Sequence, residues 1–311
     1  MRDWIGSSSE SEINAMPEPE VVIDVDEVSY TYAPDMPLAL DHVSLQIRKG
    51  DFLALLGQNG AGKTTLAKTF NGLLLPTSGS VYIGGLDTRK ATVSSLAARV
   101  GYCYQNPDHQ IFNRTVYMEA AFGPRNLGLP PNEVAARVDH ALQLVDLADK
   151  KDAYPFLLGK GERQKLAVAS VLAMGSPTLV VDEPTTGLDL HGIRSIMTLL
   201  RHWNQAEERT IVIITHDLRI VAEYIPRTVV MVQGKIVADG PTRSILSDGA
   251  ALAIAGLKPP QVTRVAQRLS HHGIPPDVMT VDELLACLRT ALSSNEDART
   301  SQEGVSDASR L

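Results

Sequence analysis

The stretch Gly57-Gln58-Asn59-Gly60-Ala61-Gly62-Lys63-Thr64-Thr65 carries the spacing G-x-x-x-x-G-K-[ST]. Its glycines let the backbone curl until successive N–H groups point inward and make a concave anion site. A helix starting behind the loop adds partial positive charge. Lys63 can then reach the outer phosphates of a nucleotide, and the Thr64 hydroxyl can ligate Mg²⁺. Hydrolysis needs two further groups: a carboxylate for the Mg²⁺ and a base for the attacking water. Asp182 closes the apolar run Thr178-Leu179-Val180-Val181, which is where the first is expected. Glu183 follows it and can serve as the general base. Taken singly, the loop could be an ordinary glycine-rich turn and the acidic pair a solvated strand end. Together they point to an enzyme that cleaves a nucleoside triphosphate.

These residues need a scaffold. Phe52-Leu53-Ala54-Leu55-Leu56 predicts a strand before the loop, and Thr65 to Phe70 a helix after it. Val21–Val25, Val28–Tyr32 and Leu45–Ile47 have β-like patterns, Arg48 to Asp51 is a turn, Pro76 to Ser80 is another, and Val81 to Gly85 ends a strand. The expectation is a small antiparallel sheet around the first part of an α/β core. From about Pro107 to Ser176 the chain is mostly helical; Val134, Val138, Ala141, Leu142 and Val145 recur at helical spacing over Asn132–Ala148. The β-branched runs Thr178–Val181 and Thr210–Ile214, separated by a helix, imply a parallel sheet. Charged groups at the carboxyl ends of such strands lie where open α/β sheets bind ligands. Val229 to Val237 predicts a hairpin with Gln233-Gly234 at its turn.

The expected domains are a nucleotide-binding domain over 20–250 and a helical extension over 256–293, with disordered tails at 1–19 and 294–311. The boundary is Gly256-Leu257-Lys258-Pro259-Pro260; beyond it, Val262, Val265 and Leu269, then Val281, Leu284, Leu285 and Leu288, recur at helical spacing on either side of a break at Gly273–Pro276. A module this short buries little core alone, so it must pack on its own domain or on a second copy.

The net charge of −7 over 311 residues provides no overall basic field for nucleic acid. No apolar run approaches the roughly 18 residues that span a bilayer, and no basic-then-apolar leader opens the chain. Cys103 and Cys287 have no metal-ligand spacing, which suits a reducing cytosol. Any membrane role must come through a partner.

Asp182-Glu183-Pro184-Thr185-Thr186-Gly187-Leu188-Asp189 resembles the second nucleotide motif and aspartate loop of ATP-binding-cassette (ABC) ATPases. Thr215-His216-Asp217 resembles their switch histidine, Tyr102-Cys103-Tyr104-Gln105 their glutamine loop, and Tyr32 their adenine-stacking aromatic. The motifs occur in the family's order from about Val21 to Asp248. The resemblance implies a P-loop NTPase of the α/β class with a small antiparallel β-subdomain, a helical subdomain and a short helical C-terminal extension. It also implies ATP and Mg²⁺ as cofactors, His216 and Gln105 as companions of Glu183, and Gln105 as a further Mg²⁺ ligand beside Thr64 and Asp182. Tyr30, two residues from Tyr32 and on the same strand face, is the alternative stacking residue. The family signature L-S-G-G-Q is altered here to Leu158-Gly159-Lys160-Gly161-Glu162. In the family this loop caps the partner's ATP, so Gly159, Lys160, Gly161 and Glu162 are expected at a dimer interface. Lys160 faces either phosphate or solvent.

Gln105-Asn106-Pro107-Asp108-His109-Gln110-Ile111-Phe112, with Thr115-Val116, Glu119 and Phe122-Gly123-Pro124, resembles ATPases of energy-coupling factor (ECF) transporters, importers of vitamins and of cobalt or nickel ions. Residues Pro259 to Leu285 resemble their C-terminal extension. The resemblance implies a second ATPase subunit, identical or paralogous, an integral membrane component, a separate substrate-binding membrane protein, and a place on the cytoplasmic face of the membrane. It implies no nucleic acid. Two rivals stand beside this reading: an ABC ATPase acting on nucleic acid or ribosomes, and a catalytically weak partner in a heterodimeric transporter ATPase.

Overall fold

The computed structural model describes residues 19–293; of the expected tails at 1–19 and 294–311, all but residue 19 lies outside them. In chain order the strands and helices are β1 (Val21–Tyr30), β2 (Leu40–Arg48), β3 (Phe52–Leu56), α1 (Lys63–Phe70), β4 (Ser78–Ile83), β5 (Leu86–Asp87), α2 (Val93–Ala97) and β6 (Val100–Cys103). Then come α3 (Val116–Asn126), α4 (Pro131–Leu144), α5 (Lys160–Met174), β7 (Thr178–Asp182), α6 (Leu190–Glu207), β8 (Thr210–Thr215) and α7 (Leu218–Tyr224). The chain continues through β9 (Arg227–Val232), β10 (Lys235–Pro241), α8 (Thr242–Ser247), α9 (Gly249–Ile254), α10 (Gln261–Arg268) and a final helix, α11, over 281–293.

Two sheets stack. The smaller runs β2-β1-β4-β5 and is antiparallel; the larger runs β10-β9-β3-β8-β7-β6 and is parallel except at β10. Strands β3, β7 and β8 alternate between two cores. Ala54, Val181 and Ile213 face the helical layer, while Leu53, Leu55, Val180 and Val212 face the small sheet together with Leu66 and Phe70 of α1. Burial on both faces explains why these strands are continuously apolar.

The two strands expected at Val21–Val25 and Val28–Tyr32 are one. Asp26 and Glu27 have the polarity of a turn, but the register shifts between Val25 and Val28 while Glu27 takes a φ of 47°. A bulge absorbs the extra residue and keeps both halves in the same ladder. The strand stops at Tyr30, so Tyr32 lies beyond it and not on its face. The helix expected over Asn132–Ala148 ends at Leu144, because Asp146 turns to a φ of 58°. The hairpin turn forms as expected, with φ of 47° at Gln233 and 78° at Gly234.

The extension past Gly256 folds back on its own domain. Ala266, Ile274 and Val278 form a small core with Leu269, Leu284 and Leu288 packed around it. Met279 enters the main core. Arg243 of α8 pairs with Glu283 at 2.7 Å and donates to the Asp277 carbonyl at 2.8 Å. Val265, Val281, Leu285 and Leu292 remain exposed.

Candidate active site

The phosphate loop bridges β3 and α1. Gly62 has a φ of 100°, and a side chain there would collide with the Ala39 carbonyl, so glycine is required. Gln58, Asn59 and Gly60 are exposed at the tip, while Ala61 is buried and donates its N–H to the Gln58 carbonyl at 3.1 Å. Lys63 is buried and spans the loop: Nζ donates to the carbonyls of Gly57 at 2.8 Å and Gln58 at 2.9 Å. Burial lowers its pKa, opposed by the nearby charges of Glu183 and Asp182. Thr65, on the first turn of α1, shares a 2.9 Å hydrogen bond with the Tyr32 hydroxyl. Tyr32 is 57% exposed with its ring edge-on to Tyr30, 5.0 Å between centroids. It presents a free aromatic surface beside the loop.

The parallel register brings the acidic pair to the loop. Strand β8 lies between β3 and β7, so Glu183, just past the end of β7, sits against Thr215 and His216 at the end of β8. The Thr64 hydroxyl and the Tyr102 hydroxyl both donate to Asp182 Oδ2, each at 3.0 Å. Oδ1 of Asp182 has no protein donor among the described residues. Burial raises the Asp182 pKa above its ordinary value, against the opposing effect of these two hydrogen bonds. Burial likewise raises that of Tyr102, so it is a donor here. Cys103, fully buried beside them, is pushed up to about 12 and is packing, not a thiolate.

A hydroxyl and a carboxylate at this spacing are hard oxygen donors that fit Mg²⁺, which usually takes one or two protein ligands and keeps waters and phosphate oxygens for the rest. No group of three or more acidic, His or Cys side chains is arranged to hold a metal ion by itself among the described residues.

Glu183 holds a left-handed φ of 47°, with its N–H donating to the Ile214 carbonyl at 2.8 Å. A non-glycine residue in that region stores strain, and such strain gathers at functional sites. Its carboxylate is held by His216 Nδ1 at 2.6 Å and the Thr215 hydroxyl at 3.4 Å. The His216 ring is otherwise open to solvent. A carboxylate fixed this way is oriented to take a proton from water.

Gln105 lies two residues beyond β6, exposed, with no hydrogen bond to a described residue. The structure therefore places it past the end of the strand that neighbours β7, with no hydrogen bond to Asp182. Gly159 caps α5, and its N–H donates to Glu162 Oε2 at 3.0 Å; Glu162 also pairs with Lys150. None of Gly159 to Glu162 hydrogen-bonds to Lys63 or Glu183 among the described residues. Lys160 is at the first position of α5, and its side chain runs over Gly187, where any added side chain would strike its ammonium. It thus lies along its own chain's loop after Glu183, instead of extending freely into solvent.

Three groups went unassigned in the sequence. Tyr102 supports Asp182. Gln110 accepts from the Tyr104 N–H at 3.1 Å and donates to the Ala167 carbonyl and the Ser170 hydroxyl of α5. Glu119, buried, receives the N–H groups of Phe112 and Asn113 at 3.0 and 2.9 Å. That fixes Phe112 outward, 61% exposed, edge-on to Phe122 at 4.7 Å. In the sequence Glu119, Phe112 and Phe122 are marked only by the energy-coupling factor resemblance, which assigns them no contact with one another.

A family profile described as ABC transporter matches residues 40–186. An energy-coupling factor transporter ATP-binding protein of Caldanaerobacter subterraneus is 39% identical over 270 residues, covering 85% of this chain and 97% of that protein. A putative ABC transporter ATP-binding protein of the same organism is 44% identical over 87% of this chain; the chain spans only 46% of that longer relative. Among solved structures, cbiO1 from Clostridium perfringens, part of the ABC transporter complex cbiONQ, matches with a TM-score of 0.69 at 33% identity, covering 82% of this chain and 98% of that one.

Proposed function

The chain belongs to the ABC transporter ATP-binding proteins, and from that premise we propose that it hydrolyses ATP to power an energy-coupling factor importer of a vitamin or transition-metal ion. The observation that carries the enzymatic part is the convergence of Lys63, Thr64, Asp182, Glu183 and His216 on one end of a parallel sheet. The importer assignment is supported by similarity to energy-coupling factor relatives over nearly their whole length.

The N–H groups from Gln58 to Thr65 cradle the phosphates, and Lys63 turns its ammonium from the loop carbonyls toward the outer ones. Tyr32 offers its ring to the base. Thr64, Asp182 and Gln105 are the residues that would hold Mg²⁺. The bound ion would neutralise charge on the outer phosphates. Glu183, steadied by His216, accepts the proton of the attacking water. Gly159, Lys160, Gly161 and Glu162 would serve a second subunit's ATP; among the described residues their hydrogen bonds go to Lys150 and to their own helix start, not to Lys63 or Glu183. The exposed Phe112–Phe122 pair, above the helical layer, is the surface that meets the integral membrane component. The assembly would lie peripherally on the cytoplasmic face, beside a separate substrate-binding membrane protein. Gentle extraction of membranes carrying this chain with a tag tests the reading. The expected co-purifying species are two small integral membrane proteins; ribosomal material in their place would sink it.

The raised pKa of Asp182 has a consequence for pH. Its carboxyl is easier to protonate than usual, so its contribution to folding is present at low pH and is lost as pH rises through the folded value. Mg²⁺ needs the charged form, so Mg²⁺ binding competes with that proton. We expect the rise in Tm that Mg²⁺ adds to bound ADP to shrink as pH falls toward 4, and to be absent in Asp182→Asn at every pH. An equal Mg²⁺ shift in the variant would remove Asp182 from the ion.

Val265, Val281, Leu285 and Leu292 of the extension over 256–293 are exposed, which supports reading it as a surface for a second copy. Truncation after Gly256 should leave a folded, ATP-binding domain that is monomeric without nucleotide at concentrations where the full chain is dimeric. Light scattering decides it. A truncated chain that stays dimeric would make the extension a cap on its own domain.

A further inference from the structure

We propose that Arg163 is a positioning residue that ties the glutamine loop to the loop Leu158–Glu162. The proposal rests on the ATPase reading above. Beyond Gln105, Pro107–His109 forms a single 3₁₀ turn, started by the Asn106 side chain, which accepts the Asp108 N–H at 3.1 Å. Asp108 Oδ1 receives Arg163 Nε at 2.7 Å across 55 residues of sequence. The same guanidinium donates through Nη1 to the Leu158 carbonyl at 2.6 Å. One planar fork therefore holds the turn after Gln105 with one nitrogen and the backbone of the altered signature with another.

The neighbouring side chain grips the other side of that backbone. Glu162 takes the Gly159 N–H, but its outward partner is Lys150, within the helical layer. Among the described residues, Arg163 alone links the loop by hydrogen bonds to the segment that starts at the nucleotide site. Gln110 reinforces the path by fastening the same turn to the Ala167 carbonyl at 2.8 Å. A shift of Gln105 on nucleotide binding would pull Asp108, and Asp108 would draw Arg163 and the Leu158–Gly159 peptide with it. Occupancy of one site would thereby set the loop that serves the other. Lysine can substitute only in part, because a point ammonium lacks the two fixed donors of the fork.

The test uses the full chain with Arg163→Ala, Arg163→Lys, Asp108→Asn and the Arg163→Ala, Asp108→Asn double variant. Two quantities are read: amide hydrogen exchange over 157–162, and kcat and KM for ATP. Arg163→Ala should raise exchange in that segment about tenfold, the scale of one charge-assisted hydrogen bond. It should lower kcat about tenfold and leave KM within about twofold, because the phosphate loop is untouched. Asp108→Asn should reproduce most of both effects, the double variant should add little to Arg163→Ala, and Arg163→Lys should recover only part. Additive effects in the double variant, or unchanged exchange over 157–162 in Asp108→Asn, would overturn the link. A wild-type chain that fails to hydrolyse ATP would count against the proposed function instead, and the exchange data would still decide the role of Arg163.

Discussion

Glu183→Gln yields a protein that binds ATP like the wild type but turns it over about 10²–10⁴ times more slowly. The size follows from losing a positioned general base while changing little else. Glutamine matches the side chain in shape, can accept the bond from His216 Nδ1 that Glu183 accepts at 2.6 Å, and meets the same backbone demand at a φ of 47°. What it cannot do is take the proton from water. Nucleotide affinity by equilibrium dialysis and phosphate release in single turnover measure the two parts separately. Turnover near the wild-type rate would take Glu183 out of the base role. His216→Ala, by contrast, leaves the carboxylate in place and removes only what orients it, so its loss should be the smaller.

Lys63→Ala should fail earlier, at binding. The Nζ of Lys63 lies within hydrogen-bond distance of the Gly57 and Gln58 carbonyls and close enough to Asp182 and Glu183 to feel both charges. Removing it deletes the phosphate-facing cation, loosens the loop that the ammonium bridges, and leaves two partly buried carboxylates without a counter-charge. Truncating one partner of such a buried charge arrangement costs about 2–5 kcal/mol, roughly 30-fold to 4,000-fold in ATP affinity. Isothermal titration with ATP and Mg²⁺ gives the affinity, and a melting curve without nucleotide checks that the fold survives. Affinity within threefold of wild type would mean that backbone N–H groups alone hold the phosphates.

The two predictions draw on different kinds of information. The phosphate loop was legible because its function is local: glycine spacing, a preceding apolar strand and a following helix are all encoded within 20 consecutive residues, Phe52 to Asn71. The ends of β7 and β8 were legible for the same reason, since an apolar run that stops at Asp182-Glu183 or Thr215-His216 marks its own terminus. Gln233-Gly234 announced its turn through backbone preference alone. The bulge at Glu27 was not legible, because Asp26-Glu27 has the composition of a turn and only pairing with β2 and β4 keeps the strand whole.

What the sequence could not supply is which distant side chains meet. Tyr102 and Asp182 are 80 residues apart, and their contact exists because β6 and β7 pair in parallel with Tyr102 opposite Val180. Arg163 and Asp108, or Arg243 and Glu283, carry no mark in composition or periodicity that assigns one to the other. The extension illustrates the division most plainly. Its helical spacing showed that it had an apolar face, but a face does not name what covers it. Tertiary packing sent Met279 into the domain's own core and left Val265 and Leu285 outside. Periodicity reports the direction of a side chain relative to its own helix; strand register and side-chain reach in three dimensions determine what lies at the end of it.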